Sequence, residues 1–155
     1  MAKKSAGILL YREASGVIEV LLVHPGGPFW AEKDEGAWSI PKGEFGDDEP
    51  PFAAAKREFA EETGVMLEGE GIALEPVRQP GGKIVYAWAI QHDCDPSGLK
   101  SNTFSVEWPP KSGHVQEFRE VDRAAWFTIE KAARKILKGQ APLLDQLESK
   151  LRASR

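Results

Sequence analysis

Residues 43–65 read GEFGDDEPPFAAAKREFAEETGV, and the rest of the chain is arranged around this stretch. Its second half predicts a helix: Ala53, Ala54 and Ala55 lead into strong helix formers, and Gly64 supplies a left-handed residue to end it. Asp47 and Asp48 are positioned to cap that helix, and Pro50 and Pro51 fall near its first turn, where a missing N–H costs little. Glu58, Glu61 and Glu62 stand at i, i+3 and i+4, so three carboxylates share one face. Like charges at that spacing repel, and the nearby cations are only Lys56 and Arg57, so the cluster calls for an external counter-charge. A hard divalent cation, Mg²⁺ or Mn²⁺, suits an all-oxygen ligand set.

Immediately upstream, Pro41-Lys42-Gly43 reads as a turn whose backbone can lend a metal ligand while the Lys42 side chain meets a phosphate. Trp38 to Ile40 predicts a short strand. Residues 25–37, PGGPFWAEKDEGA, break both helical and strand periodicity and form a loop. Phe29 and Trp30 on that loop either stack on a nucleotide base or fold back onto the core. Gly7 to Tyr11 and Val17 to Val23 are apolar, β-branched runs separated by turn residues, hence two strands, the second covered on both faces. His24 follows directly, and a histidine with no second one near it reads as structural or exposed.

Downstream, residues 66–77 alternate loosely and predict a strand region, and Arg78 to Lys83 (RQPGGK) is a turn signal. Ile84 to Ile90 is apolar on both faces, as a central strand is. His92, Asp93 and Asp95 precede Pro96-Ser97-Gly98 and read as an exposed acidic turn rather than a metal site. Thr103 to Trp108 alternates as a strand, and Ala125 to Ile129 is a last strand-like piece. Glu130 to Leu137 predicts a helix ended by Gly139. Pro142 opens another, with Leu143, Leu144, Leu147 and Leu151 along one stripe, and residues 150–155 form a frayed basic end. Strands, one inserted helix, more strands and terminal helices together imply an α/β/α sandwich with a mixed sheet.

Composition narrows the class. At 155 residues and 41% hydrophobic, the chain supports one core, and we expect a single domain over 1–155. A formal net charge of −4 provides no basic field to recruit nucleic acid or an acidic membrane. One cysteine, Cys94, cannot pair within the chain, which fits a reducing compartment. The apolar run in MAKKSAGILLYRE is shorter than a signal peptide requires. We therefore expect a soluble cytoplasmic protein beginning at or near Met1, with its oligomeric state open.

The pattern of residues 43–65 is Gly43, five residues, Glu49, seven residues, Arg57-Glu58, Phe59, one residue, Glu61-Glu62, one residue, Gly64 and Val65. It resembles the signature of the Nudix hydrolases and meets it at every position. A chance match is on the order of 10⁻⁹ at ordinary residue abundances. A solvated acidic helix would explain the glutamates but not the spaced glycines, Glu49 and the single arginine. The resemblance implies hydrolysis of a diphosphate linkage in a nucleoside diphosphate joined to a group X, by attack of water on phosphorus. It implies Glu58 and Glu62 as direct ligands of Mg²⁺ or Mn²⁺, Glu61 as ligand or orienter of the nucleophile, and a backbone carbonyl from the Gly43 region. Arg57 and Glu49 become organisers of the loop and helix, alongside Gly64. A further acidic group outside the stretch is implied as extra ligand or general base. Glu120, six residues before Trp126, is the candidate, with Glu117 as fallback.

Which X is bound is read from pieces that disagree. Trp38 to Gly43, Lys83 to Ile90 and Glu120 to Ala133 look like the dinucleoside polyphosphate hydrolases. Pro80, 15 residues past the box, resembles the ADP-ribose pyrophosphatases, although Pro80-Gly81-Gly82 is also an ordinary turn. The tyrosine that the dinucleoside polyphosphate branch carries 16 to 18 residues past its box is absent, so Tyr86, Phe29 or Trp30 would stack on the base, with Lys42 and Lys83 on phosphates. Diadenosine tetraphosphate or a related nucleoside polyphosphate is the expected small-molecule partner; ADP-ribose and nucleoside triphosphates are the alternatives. A non-catalytic nucleotide-binding module would be free to lose box glutamates, and an RNA-binding protein would want a basic groove.

Overall fold

The computed structural model describes residues 3–153. Among these, nine strands and three helices run in the order β1 (Lys4–Ala14), β2 (Val17–Pro25), β3 (Lys42–Glu44), α1 (Pro51–Thr63), β4 (Ile72–Ala73), β5 (Val77–Arg78), β6 (Ile84–Gln91), β7 (Thr103–Glu107), β8 (Val115–Arg119), β9 (Val121–Thr128), α2 (Ile129–Lys135) and α3 (Ala141–Ala153). Seven strands form one mixed sheet along β4-β6-β1-β2-β9, with β3 on β1 and β5 on β6. The β1 and β6 strands are parallel, whereas β1–β2 and β2–β9 are antiparallel. Among the described residues no helix is long and apolar enough to cross a membrane.

Strand alternation sorts the apolar residues into two layers. On one face Ala6, Ile8, Leu10 and Leu21 pack with Ala54, Ala55 and Phe59 of α1. On the other, Leu9, Val20, Leu22, Val85 and Ala87 pack with Ala132, Leu143, Leu144 and Leu147 of α2 and α3. Helices therefore cover both faces of a mixed sheet, giving the expected α/β/α sandwich. Phe59 is wholly buried, and removing a side chain of its size from water contributes about 1.5–3 kcal/mol. It anchors the helix that carries the glutamates.

Several local expectations are corrected. Residues 41–43 are not simply a turn, since Lys42–Glu44 forms β3. Only Tyr11 to Ala14 of β1 pair with β2, so the free edge of its first half takes β3 through Ser5 to Gly7. The Ile8 N–H also donates to the Pro41 carbonyl at 3.1 Å. Trp38 to Ile40 is not a strand but makes isolated bridges, Ser39 with Val23 and Trp38 with Ile136. Neither Asp47 nor Asp48 caps α1; Pro50 occupies that position without a side-chain bond, and Pro51 starts the helix. Gly64 does end it, at φ 80°, with its N–H donating to the Ala60 carbonyl.

Farther along, the 66–77 region holds only the two-residue strands β4 and β5. The last strand is longer than 125–129 and follows a separate hairpin, β7–β8, that stands outside the main sheet. Gly139 does not end α2; Ile136, in extended conformation, does, and Gly139 lies in a short 3₁₀ turn. α3 continues through Ala153 rather than fraying from 150, and residues 1, 2, 154 and 155 of the two chain ends lie outside the described residues.

Candidate active site

The C-terminal part of β2 leaves β1, the short β3 pairs with the first half of β1 instead, and α1 packs against both β1 and β3. Gly43 faces Glu58 so closely that a Cβ at Gly43 would lie 2.1 Å from the carboxylate. Only glycine leaves room there for the acid to lie against the strand. One turn on, Glu62 accepts a hydrogen bond from the Lys42 backbone N–H at 3.3 Å. The helix and the strand thus meet through two of the three box glutamates.

Arg57 organises the carboxylates from within, as the resemblance implies. Its Nε and Nη2 donate to the two Glu49 oxygens at 2.7 and 2.9 Å, and Nη1 donates to Glu58 and Glu61 at 2.9 and 3.1 Å. The organising role expected of Arg57 extends to three carboxylates, which a planar guanidinium has enough donors to serve at once. These bonds raise the Arg57 pKa, Glu49 contributing most, and the Arg57 bonds lower that of Glu49.

Glu62 lies outside that clamp. Burial pushes its carboxyl up to about 8 despite the Lys42 N–H, with Glu58 and Glu120 adding repulsion. Glu58 is raised as well, by burial and then by Glu61. The Lys42 ammonium is pulled down by burial and by nearby Lys83. Two lysines close enough to repel beside buried carboxyls form a polar site lacking full internal compensation.

A cavity of about 210 Å³ opens on this point, lined by Lys42, Glu62 and Glu120 together with Trp30, Ser39 and Val121. Glu120 arrives there through backbone anchoring, its N–H donating to the Asn102 carbonyl and its carbonyl accepting from the Gly26 N–H, both at 2.8 Å. Glu117 is instead on the exposed hairpin and accepts from Thr103 Oγ1 at 2.7 Å. Phe29 is 60% exposed and Trp30 37% exposed, and neither folds into the core. Tyr86 does not line the cavity; its ring stands edge-on to Phe45, 6.0 Å between centroids.

The donor set fits a hard cation. Glu58, Glu61, Glu62 and Glu120 offer only carboxylate oxygens, and no sulfur or imidazole competes for the site. Among the described residues no three acidic, histidine or cysteine side chains stand in a preformed coordinating arrangement, and Arg57 is bonded to two of the glutamates.

One support, Gln140, had no signal in the sequence, and a second, His24, takes the structural one of its two expected readings. Gln140, wholly buried, accepts from the Ile40 N–H and donates to Ser39 and Gln79, bracing the segment that leads into Lys42. His24 is buried with one ring nitrogen 2.9 Å from an Asp122 oxygen and the other 2.6 Å from the Lys33 carbonyl. It ties the 26–36 loop to β9, a structural use of the histidine. A single glutamine or histidine beside an apolar run carries no spacing that could announce such long-range contacts.

A family model of the NUDIX domain matches residues 1–147. No curated protein sequence matches the chain. Among solved structures, a Caenorhabditis elegans Ap4A hydrolase in a binary complex is 26% identical over 98% of this chain and 99% of that one, with a TM-score of 0.63. The NUDIX domain of Shewanella oneidensis NrtR, complexed with ADP ribose, is 18% identical over 97% and 89% at a TM-score of 0.66. The E. coli ORF135 protein is 24% identical over 99% and 94% at 0.56. At those identities the last two speak to the fold alone.

Proposed function

The chain belongs to the Nudix family and is a hydrolase of pyrophosphate bonds, and we propose that its substrate is diadenosine tetraphosphate or a closely related nucleoside polyphosphate. The observation that carries this reading is the convergence of Lys42, Glu62, Glu120 and Trp30 on one cavity. It provides a cation for phosphate, carboxylates for a metal and for water, and an aromatic ring for a base. The likeness to the C. elegans Ap4A hydrolase over nearly the full length of both chains supports the choice of substrate.

Glu58, Glu62 and the Gly43 carbonyl would hold Mg²⁺ or Mn²⁺, with Glu61 and Glu120 beside them. Bound there, the cation supplies neutralisation of phosphate charge and a more acidic water. The chain's own groups do the rest. Lys42 and Lys83 draw the polyphosphate toward the helix as point charges. Glu120, exposed at the cavity rim, takes the proton of the attacking water as its oxygen bonds to phosphorus and the bond from that phosphorus to the bridging oxygen breaks, the departing phosphate carrying the bridging oxygen away. Gly43 leaves the space in which Glu58 sits, and Arg57 keeps Glu58 and Glu61 aligned through Glu49.

The test is a comparison of kcat/KM for diadenosine tetraphosphate, ADP-ribose and nucleoside triphosphates at matched Mg²⁺, with products identified. Preference for diadenosine tetraphosphate is expected. Faster cleavage of ADP-ribose, or equal rates on simple triphosphates, would replace this substrate with those.

A further inference from the structure

The hairpin β7–β8 has no partner in the main sheet, yet it stands on the candidate site. β7 begins after Asn102 and β8 ends before Glu120, and these two residues are bonded through the backbone at the hairpin base. Close packing holds the hairpin against the 26–36 loop. A Cβ on Gly26 would fall 1.8 Å from the Arg119 carbonyl oxygen, and one on Gly27 2.7 Å from the Phe104 ring. At Gly26 the obstacle is backbone, so only glycine lets the loop and the hairpin approach this far there.

At the outer end of that contact, Phe29 of the loop meets Trp108 of the hairpin. Their ring centroids are 5.1 Å apart at 75°. In an edge-on pair, the ring that presents its edge keeps both faces clear of its partner. Neighbouring Trp30 instead lines the inner cavity with Lys42, Glu62 and Glu120. Two consecutive loop residues thus serve two aromatic stations, one inside and one outside.

Size decides what each can take. The inner cavity, about 210 Å³, is below the roughly 300–1,000 Å³ of clefts that enclose a drug-sized ligand. It suits one nucleoside end of a two-ended substrate, and the other end must lie outside. We propose that Phe29 and Trp108 bind the second nucleobase of a dinucleoside polyphosphate, making the hairpin a determinant of specificity for two-ended over one-ended substrates. This rests on the substrate reading above.

The probe pair is diadenosine tetraphosphate and adenosine 5′-tetraphosphate, which carry the same number of phosphates and differ by one adenosine. Wild-type protein should show the lower KM for the two-ended compound. Trp108→Ala should reduce that preference about tenfold, within what stacking on one base contributes, and Trp108→Phe should restore most of it. An unchanged preference in Trp108→Ala, or a loss shared equally by both compounds, would overturn the inference while leaving the substrate reading intact. Wild-type protein that fails to cleave diadenosine tetraphosphate would overturn the substrate reading, and the inference with it.

Discussion

Arg57 grips Glu49 through two parallel hydrogen bonds, Nε to Oε2 at 2.7 Å and Nη2 to Oε1 at 2.9 Å, from one turn into the helix back to the loop that precedes it. The same guanidinium reaches forward to Glu58 and Glu61. The loop thereby fixes the arginine, and the arginine fixes two glutamates. Arg57→Lys keeps the charge but has no fork with which to make these bonds together. Turnover is expected to fall about ten- to a hundredfold, the scale of a misplaced catalytic group, with little change in the melting temperature because the pairs are solvent-exposed. Steady-state kinetics beside a thermal melt measures both; near-normal turnover would show that Arg57 does not align the glutamates.

Glu62 gives a pH dependence of stability. Its ordinary pKa of 4.5 rises to about 8 in the fold, so between these values the folded chain binds a proton that the unfolded chain has lost. Its contribution is fully present below about 4.5 and is lost as pH rises toward 8. Metal-free protein should therefore melt progressively lower across that window, and Glu62→Gln should flatten this component and melt higher than wild type at pH 8. Adding Mg²⁺ or Mn²⁺ should recover wild-type stability at pH 8, and recover it less in the variant. Parallel melting curves for the two proteins from pH 4.5 to 8 would refute the burial argument.

Glu120 and Glu117 are three residues apart but in different surroundings, one at the cavity and the other bonded to Thr103 on the hairpin. Glu120→Gln should lower kcat about 10²–10⁴-fold, as loss of a general base does, while Glu117→Gln stays within a factor of a few. Equal effects, or a larger one at 117, would reverse the assignment. The readout is kcat at saturating substrate in Mg²⁺.

How far the sequence carries depends on the range of the interaction. Helix α1 was legible because its signals are local: the alanine run, Pro51 in the first turn and Gly64 after the last. The sandwich was legible because strands, one inserted helix, more strands and terminal helices follow one another, and runs apolar on both faces such as Val17 to Val23 and Ile84 to Ile90 call for cover on each side. The β3 strand was hidden, because Lys42–Glu44 is extended only to satisfy an edge that β2 leaves on β1. The organising role of Arg57 was legible because Glu58 and Glu61 lie one and four residues from it on the same helix. Trp108 meets Phe29 across 79 residues of chain, and no local pattern encodes that.

Gly43 and Gly64 open and close the box for different reasons, and alanine at each separates chemistry from stability. At Gly43 the obstacle is another side chain: the added Cβ would sit 2.1 Å from the Glu58 carboxylate. Glu58 is a flexible side chain and can move aside, so the fold survives while the carboxylate is displaced. Gly43→Ala should then cut turnover about a hundredfold, the cost of a shift near 1 Å at a reacting centre, with little change in the melt. At Gly64 the obstacle is the backbone, held at φ 80° where an alanine is strained. Gly64→Ala should cost about 1 kcal/mol of stability and leave kcat within a factor of a few, since its nearest neighbour is the Lys100 side chain rather than a box glutamate. Denaturant titration and steady-state kinetics on both variants test the pair. Loss of turnover at Gly64 without loss of stability, or the converse at Gly43, would show that the carboxylate is not held by the close approach of Gly43.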